Sequence, residues 1–350
     1  MKYHNDLTTH YAGLDLISPI IVASSGLTHR VENMLKYEAA GAGAVVIKSI
    51  FEEQMEQEVS FMASDSDYPE AMDYLSHYVS QNEMDKHLEL IRHSSEALSI
   101  PVIASINCYR KDSWLEYAHK FVDAGASALE LNVMKLDADA TLDPGTSETK
   151  LFNLIKEVKK EIKVPVMVKI SKYFADICAL ARGLNIAGAE GVVLFNRLYT
   201  YDIDVEGERL VSGDVFSHPT DLSEPLRFTA LVHGQVPDLS IGISSGVRTG
   251  NDVVKGLLVG ADAIQLCTAI YREGADVITK CLTELDEWMS AKKYLKLSDF
   301  KGRLAAKDVE HLNMYLRSQF MKYYSSGDHT PVKSSLPPKI HPDPDYQLEQ

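Results

Sequence analysis

Residues 241–270, IGISSGVRTGNDVVKGLLVGADAIQLCTAI, decide how the rest of the chain is read. An apolar run, Leu239–Ile243, leads into the small turn Ser244, Ser245, Gly246. A short helix is predicted from Thr249–Gly250, and a second apolar run, Ala263–Cys267, ends in Thr268–Ala269. Two parallel strands spaced in this way bring backbone N–H groups, one hydroxyl and a helix N-terminus to the same end of a sheet. Such a place binds phosphate, because glycine lets the backbone approach and the unpaired N–H groups face the anion. Taken alone, Ser-Ser-Gly and Thr-Gly are ordinary βα turns and a helix start. Standing at the end of an eight-unit pattern, they read as the loops after strands seven and eight of a (β/α)8 TIM barrel, the common phosphate site of that fold.

Outward from this stretch the same unit repeats. The remaining strands are expected at Pro19–Ser24, Ala44–Lys48, Pro101–Ile106, Ala128–Val133, Pro165–Ile170 and Gly191–Asn196. Helices are expected over Glu32–Ala40, Glu83–Leu98, Ser113–Ala124, Glu148–Ile162, Phe174–Ile186, Glu224–His233 and Glu273–Met289. The strands are β-branched runs without strict alternation, as in a parallel sheet covered on both faces. Strand–helix alternation repeated eight times gives an α/β fold with a closed barrel. A doubly wound open sheet is the alternative, but no GxGxxG follows the first strand. An acidic insertion follows strand two, with eleven acidic residues and one lysine, Lys86, between Glu52 and Glu89. A shorter insertion, 200–222, follows strand six and has room for a hairpin or lid. Residues 293–323 read as a helical extension. One domain is expected over 1–323, with a flexible tail over 324–350, where the chain turns rich in Pro, Ser and Asp.

Composition narrows the function. With 45% hydrophobic and 24% charged residues, 350 residues can enclose a large core. A formal charge of −15 argues against nucleic acid or an anionic membrane as partner. No apolar run is long enough to span a bilayer, and the N-terminus lacks the apolar region of a secretory signal. The cysteines, Cys108, Cys178, Cys267 and Cys281, form no CxxC pair. Neither a metal site nor a disulfide framework is therefore expected, and a reducing cytoplasm suits the chain.

In a barrel the C-terminal strand ends face the active site. Collecting them gives Ser24, Ser25 and Gly26, then Lys48 and Ser49, Asn107 and Cys108, Asn132, Lys169 and Ser171, Asn196, Ser245 and Gly246, and Thr268. A buried lysine is costly without an anion beside it. Two lysines on different strands of a barrel with a phosphate cup therefore point to a shared anionic ligand.

This ring resembles that of the dihydroorotate dehydrogenase family, FMN-containing barrels, in its soluble class 1 branch. The likeness runs from about Leu7 to Leu297 through SPIIVASSG, GAGAVVIKS, ALELNV, VPVMVKIS, VVLFN, GISSGVRTGNDVVKGLLVGADAIQLCTAIYREG and YLKLSDFKGRL. It implies an FMN whose phosphate rests on Ser245, Gly246, Val247, Thr268 and Ala269, with the ring system over Ala23, Ser24, Ser25 and Gly26. Lys169 would reach the N1/O2 edge, where a cation stabilises charge on reduced flavin. Lys48, with Ser49 next to it, would sit beside flavin and substrate carboxylate. Asn132 and Asn196 would offer amide donors and acceptors to flavin or pyrimidine. A homodimer is implied in the same way.

The likeness breaks at the base. The family's soluble branch removes the C5 proton with a cysteine three residues after the asparagine that ends strand four. Here Lys135 holds that position, and Asp137 replaces an asparagine that would contact the pyrimidine. FMASDSDYPEA stands where the family has its substrate loop. Lys135, Lys48 and the thiol of Cys108 are the candidates for catalysis, and Lys48, Asn132, Asp137 and Asn196 those for substrate binding. The expected reaction is hydride exchange between flavin N5 and a small cyclic substrate, first of all dihydroorotate going to orotate. The alternatives are an FMN enzyme for another unsaturated ring or acid, a flavin-binding protein without turnover, and an aldolase using Lys169 as a Schiff base.

Overall fold

A computed structural model describes residues 3–51, 69–107, 111–134, 138–198, 200–307 and 315–316. The tail beyond residue 323 and the centre of the acidic insertion lie outside these residues. Before the barrel comes an antiparallel hairpin, β1 (Thr9–Tyr11) and β2 (Leu14–Leu16). The strands that follow are β3 (Ile20–Val22), β4 (Ala44–Val46), β5 (Ile50–Phe51), β6 (Val102–Asn107), β7 (Ala128–Val133) and β8 (Val166–Ile170). Then come β9 (Gly191–Leu194), β10 (Tyr201–Asp204), β11 (Arg209–Ser212), β12 (Ser240–Ser244) and β13 (Ala263–Leu266). Strands β3, β4, β6, β7, β8, β9, β12 and β13 pair in parallel in that order, and β13 returns to β3 to close the ring. The expected (β/α)8 barrel is the observed one. Short β5 adds to β6, and β10 pairs with β11 as the hairpin for which the second insertion had room.

Around the ring lie α1 (Val31–Ala39), α2 (Pro69–Ala97), α3 (Lys111–Asp123), α4 (Thr146–Glu161) and α5 (Ile177–Ala187). Helices α6 (Ser223–Gln235), α7 (Gly250–Val259), α8 (Thr268–Glu273) and α9 (Asp276–Lys292) complete it. Boundaries follow local chemistry. Helix α5 begins three residues later than expected because Asp176 caps it, accepting from the Ala179 N–H at 2.9 Å. The helix expected at Glu273–Met289 is one helix that starts at Asp276, because Gly274, with φ +76, ends a separate short helix, Thr268–Glu273, just before it. Helices were also expected through 293–323. Over 293–307 the chain instead forms a 3₁₀ turn, Leu297–Asp299, and further turns.

Inside the barrel, side chains alternate with period two. Leu129 and Leu131 of β7 and Val166, Val168 and Ile170 of β8 face the helices and join the main core. Ile21, Ala44, Val46, Ile103, Ala128, Met167 and Ala263 face inward and pack as a separate apolar layer. Tyr11, Ala12 and Leu16 of the hairpin close that layer from the N-terminal side. Each fully buried Ile or Leu here contributes roughly 1.5–3 kcal/mol. One step up each strand the inward positions turn polar, with Ser105, Glu130, Lys169 and Gln265 all buried. That change sets the floor of the site.

Candidate active site

A cavity of about 580 Å³ opens at the C-terminal ends of the barrel strands. It gathers residues far apart in sequence: Ala23, Ser24, Ser25 and Gly26 from the first turn, Lys48 and Ser49 from the second. Asn132, Lys169 and Asn196 supply the middle strands, and Ser245, Gly246, Val247 and Thr268 the last two. Ala269 is buried one residue behind this wall and does not line it. Lys135, Asp137 and Cys108 lie outside the described residues.

The cup after β12 and β13 is built on backbone. Ser245 and Gly246 both take positive φ, +83 and +78. A Cβ on Gly246 would stand 2.4 Å from the Leu222 nitrogen, so glycine is required by space as well as by conformation. The amides of Gly246, Val247, Thr268 and Ala269 find no backbone acceptor among the described residues. Of two expected contributors, Thr268 keeps its own O–H to donate and the helix end is already engaged. The Thr268 hydroxyl accepts from the Ser217 N–H at 3.1 Å and lies 3.0 Å from its hydroxyl. The N-terminus of α7 is closed by its own capping box, Thr249 with Asp252, and the Gly250 N–H donates to Glu284 at 2.6 Å. Side-chain oxygens fill that helix end, so it gives nothing to an anion in the cup, contrary to expectation.

The two lysines also differ from the expected pair. Lys169 is 5% exposed; its ammonium donates to Gln265 Oε1 at 2.7 Å and stands 3.8 Å from Glu130 Oε1. Lys48 is exposed at the rim and has no ion-pair partner among the described residues. Burial alone therefore does not demand a shared ligand: Lys169 has a carboxylate beside it and Lys48 is exposed. Asn196 donates to Asn132 Oδ1 at 2.5 Å, fixing both amides against each other. Ser24, Ser49 and buried Ser105 form a hydroxyl chain with separations of 2.9 and 2.7 Å.

Several wall residues escaped the sequence reading. Arg197, one step past the strand-six asparagine, lines the cavity and donates to the Asp214 carbonyl at 2.7 Å. Phe216 and Ser217 come from the second insertion, and Phe216 packs on Tyr271 with ring centroids 5.7 Å apart. Arg248 ties this segment to the cup by donating to the Ser217 carbonyl at 2.9 Å. Cys267 is the wall's thiol among the described residues. Burial pushes it up, against a hydrogen bond from Ser25 and the charge of Lys169, which makes it a poor base. The signal that was available is position: Arg197 and Cys267 each adjoin a strand end already selected. Among the described residues no carboxylate lines the cavity, whereas Lys48, Lys169 and Arg197 do, so this part of the wall is electropositive in a chain of charge −15. The described residues include no group of His, Cys, Asp and Glu able to hold a metal ion and no helix long and apolar enough to cross a membrane.

Comparison with known proteins gives a consistent result. The sequence model described as dihydroorotate dehydrogenase matches residues 6–289, most of the chain. The protein named dihydroorotate dehydrogenase B (NAD(+)), catalytic subunit, of Thermoplasma acidophilum is 28% identical over 306 residues, 85% of this chain and 98% of its own. The protein of that name from Listeria monocytogenes is 26% identical over 307 residues, 85% and 98%. Dihydroorotate dehydrogenase A (fumarate) of Limosilactobacillus reuteri is 26% identical over 287 residues, 78% and 90%.

Proposed function

Because the chain belongs to the dihydroorotate dehydrogenase family, we propose that it is an FMN-dependent oxidoreductase acting on a CH–CH group, oxidising dihydroorotate to orotate in pyrimidine biosynthesis. One observation carries the reading: a single cavity joins a backbone-lined anion cup at one side to a buried lysine in its floor. The donor set fits FMN. Amides of Gly246, Val247, Thr268 and Ala269 suit a phosphate, and the amide pair Asn132–Asn196 suits a flavin or pyrimidine edge of alternating C=O and N–H groups.

When bound, FMN supplies the hydride acceptor at N5. The chain's own residues orient and discharge. Lys169 supplies positive charge where electron density accumulates on reduction. Lys48 and Arg197 face a substrate carboxylate from strands two and six, opposite each other across the ring. Ala23, Ser24, Ser25, Gly26 and Ser49 line the wall that would hold the ring system of FMN. Phe216 and Ser217 close the side of the cup and reduce the access of water. Lys135, at the position of the family's cysteine, is the base proposed for the C5 proton, with the Cys108 thiol as the alternative. We place the enzyme in the cytoplasm as a homodimer, a state read by light scattering of the purified protein.

An anaerobic visible spectrum before and after dihydroorotate tests the reading. Flavin bands that bleach support it. Bands that persist favour the second reading, an FMN enzyme for another anionic ring or acid, which the lysine in place of cysteine also favours. A protein that neither carries nor binds FMN overturns both.

A further inference from the structure

We propose that Glu130 is a positioning residue for Lys169, acting through Gln265 from beneath the floor of the cavity. The three side chains come from β7, β13 and β8 and are 1%, 2% and 5% exposed. Gln265 Nε2 donates to Glu130 Oε2 at 2.5 Å, and Gln265 Oε1 accepts from the Lys169 ammonium at 2.7 Å. The chemistry of the ends fixes the amide between them. A carboxylate only accepts and an ammonium only donates, so the NH2 must face Glu130 and the oxygen must face Lys169. Glu130 thus locks from below the orientation that gives Lys169 its acceptor; an amide oxygen at position 130 can keep that lock, but only the carboxylate also sets a counter-charge beneath the ammonium.

The geometry also separates positioning from simple pairing. Glu130 Oε1 and the Lys169 nitrogen are 3.8 Å apart, too far for a hydrogen bond, and Oε1 has no hydrogen-bond partner among the described residues. A carboxylate sealed in a barrel and left half unbonded is costly. It earns its place by what it does to Lys169: the ammonium stays at the floor, with N–H groups left over for the cavity, and part of its field is cancelled from below. Ser105 stands at the same register as Glu130 on the neighbouring strand and belongs to the hydroxyl chain instead.

This inference rests on the reading that the cavity holds FMN, and two measurements keep the two apart. In the FMN-loaded protein, Glu130→Gln removes the negative charge without changing shape. It should favour reduced over oxidised FMN about tenfold, a rise in midpoint potential of about 30 mV for a two-electron couple. Glu130→Asp, which keeps the charge, should restore the original potential. A Glu130→Gln potential that is unchanged or lower overturns the proposal, because a carboxylate that merely fills space would leave the potential alone. In the apoprotein, thermal unfolding of Glu130→Gln, Lys169→Met and the double variant reads the coupling without flavin. The double variant should lose clearly less than the sum of the single losses, and additive losses overturn the proposal. If the wild-type protein binds no FMN, the functional reading falls, while this cycle still decides whether Glu130 acts on Lys169.

Discussion

Gly246 carries the narrowest tolerance of any residue in the cup. Its φ of +78 and the Leu222 nitrogen 2.4 Å from an added Cβ leave Gly246→Ala no relaxed solution. We expect that variant to cost about 1–3 kcal/mol and to weaken FMN binding about tenfold or more, read by chemical denaturation and by quenching of flavin fluorescence. His87 is a residue of a different kind. It packs on Phe121 with centroids 4.9 Å apart, its Nε2 is buried without a partner among the described residues, and burial with the charge of Lys48 lowers its pKa to about 4. The folded state therefore binds fewer protons than the unfolded state between about pH 6.5 and pH 4. Stability is present above that window and is lost as pH falls through it. Unfolding at pH 7 and pH 4 should show wild type losing roughly 2–3 kcal/mol more than His87→Phe. An equal loss in the two proteins would remove His87 from the account.

At the scale of elements, α7 separates two roles that the sequence ran together. Its N-terminus is filled by Thr249, Asp252 and Glu284, so Thr249→Ala should cost about 1 kcal/mol of stability and leave FMN affinity unchanged. A matching loss of affinity would mean that the helix end does serve the anion. The barrel itself was legible because apolar strands and amphipathic helices alternate strongly, and the ring of strand ends was legible because the fold assigns those positions a common direction. Glu130 and Gln265 were not, although Ala128–Glu130–Asn132 and Ala263–Gln265–Cys267 show the period-two step from apolar to polar. Their neighbours Leu129, Leu131, Ile264 and Leu266 face the helices, and the apolar runs they make hid the inward face. The β1–β2 hairpin was missed for a related reason: three-residue strands around Ala12–Gly13 are too short to show a period.

For the whole molecule, the hairpin is what makes the barrel a closed vessel. Tyr11 is 1% exposed, and its hydroxyl has no partner among the described residues. Desolvation, with Glu130 and Asp262 nearby, raises its pKa well above that of a free tyrosine. Tyr11→Phe should therefore be neutral or stabilising by up to about 1 kcal/mol, whereas Tyr11→Ala should cost about 3–5 kcal/mol, both read by urea unfolding. A clear loss in Tyr11→Phe would show that the hydroxyl is satisfied in solution. The stopper also orders the traffic above it. A vessel sealed below, with its side wall tied across the cup through Ser217, Thr268 and Arg248, is filled and emptied from one end. Whatever lies deepest arrives first and leaves last. The proposed flavin would thus be the lasting tenant, and the substrate alone would commute.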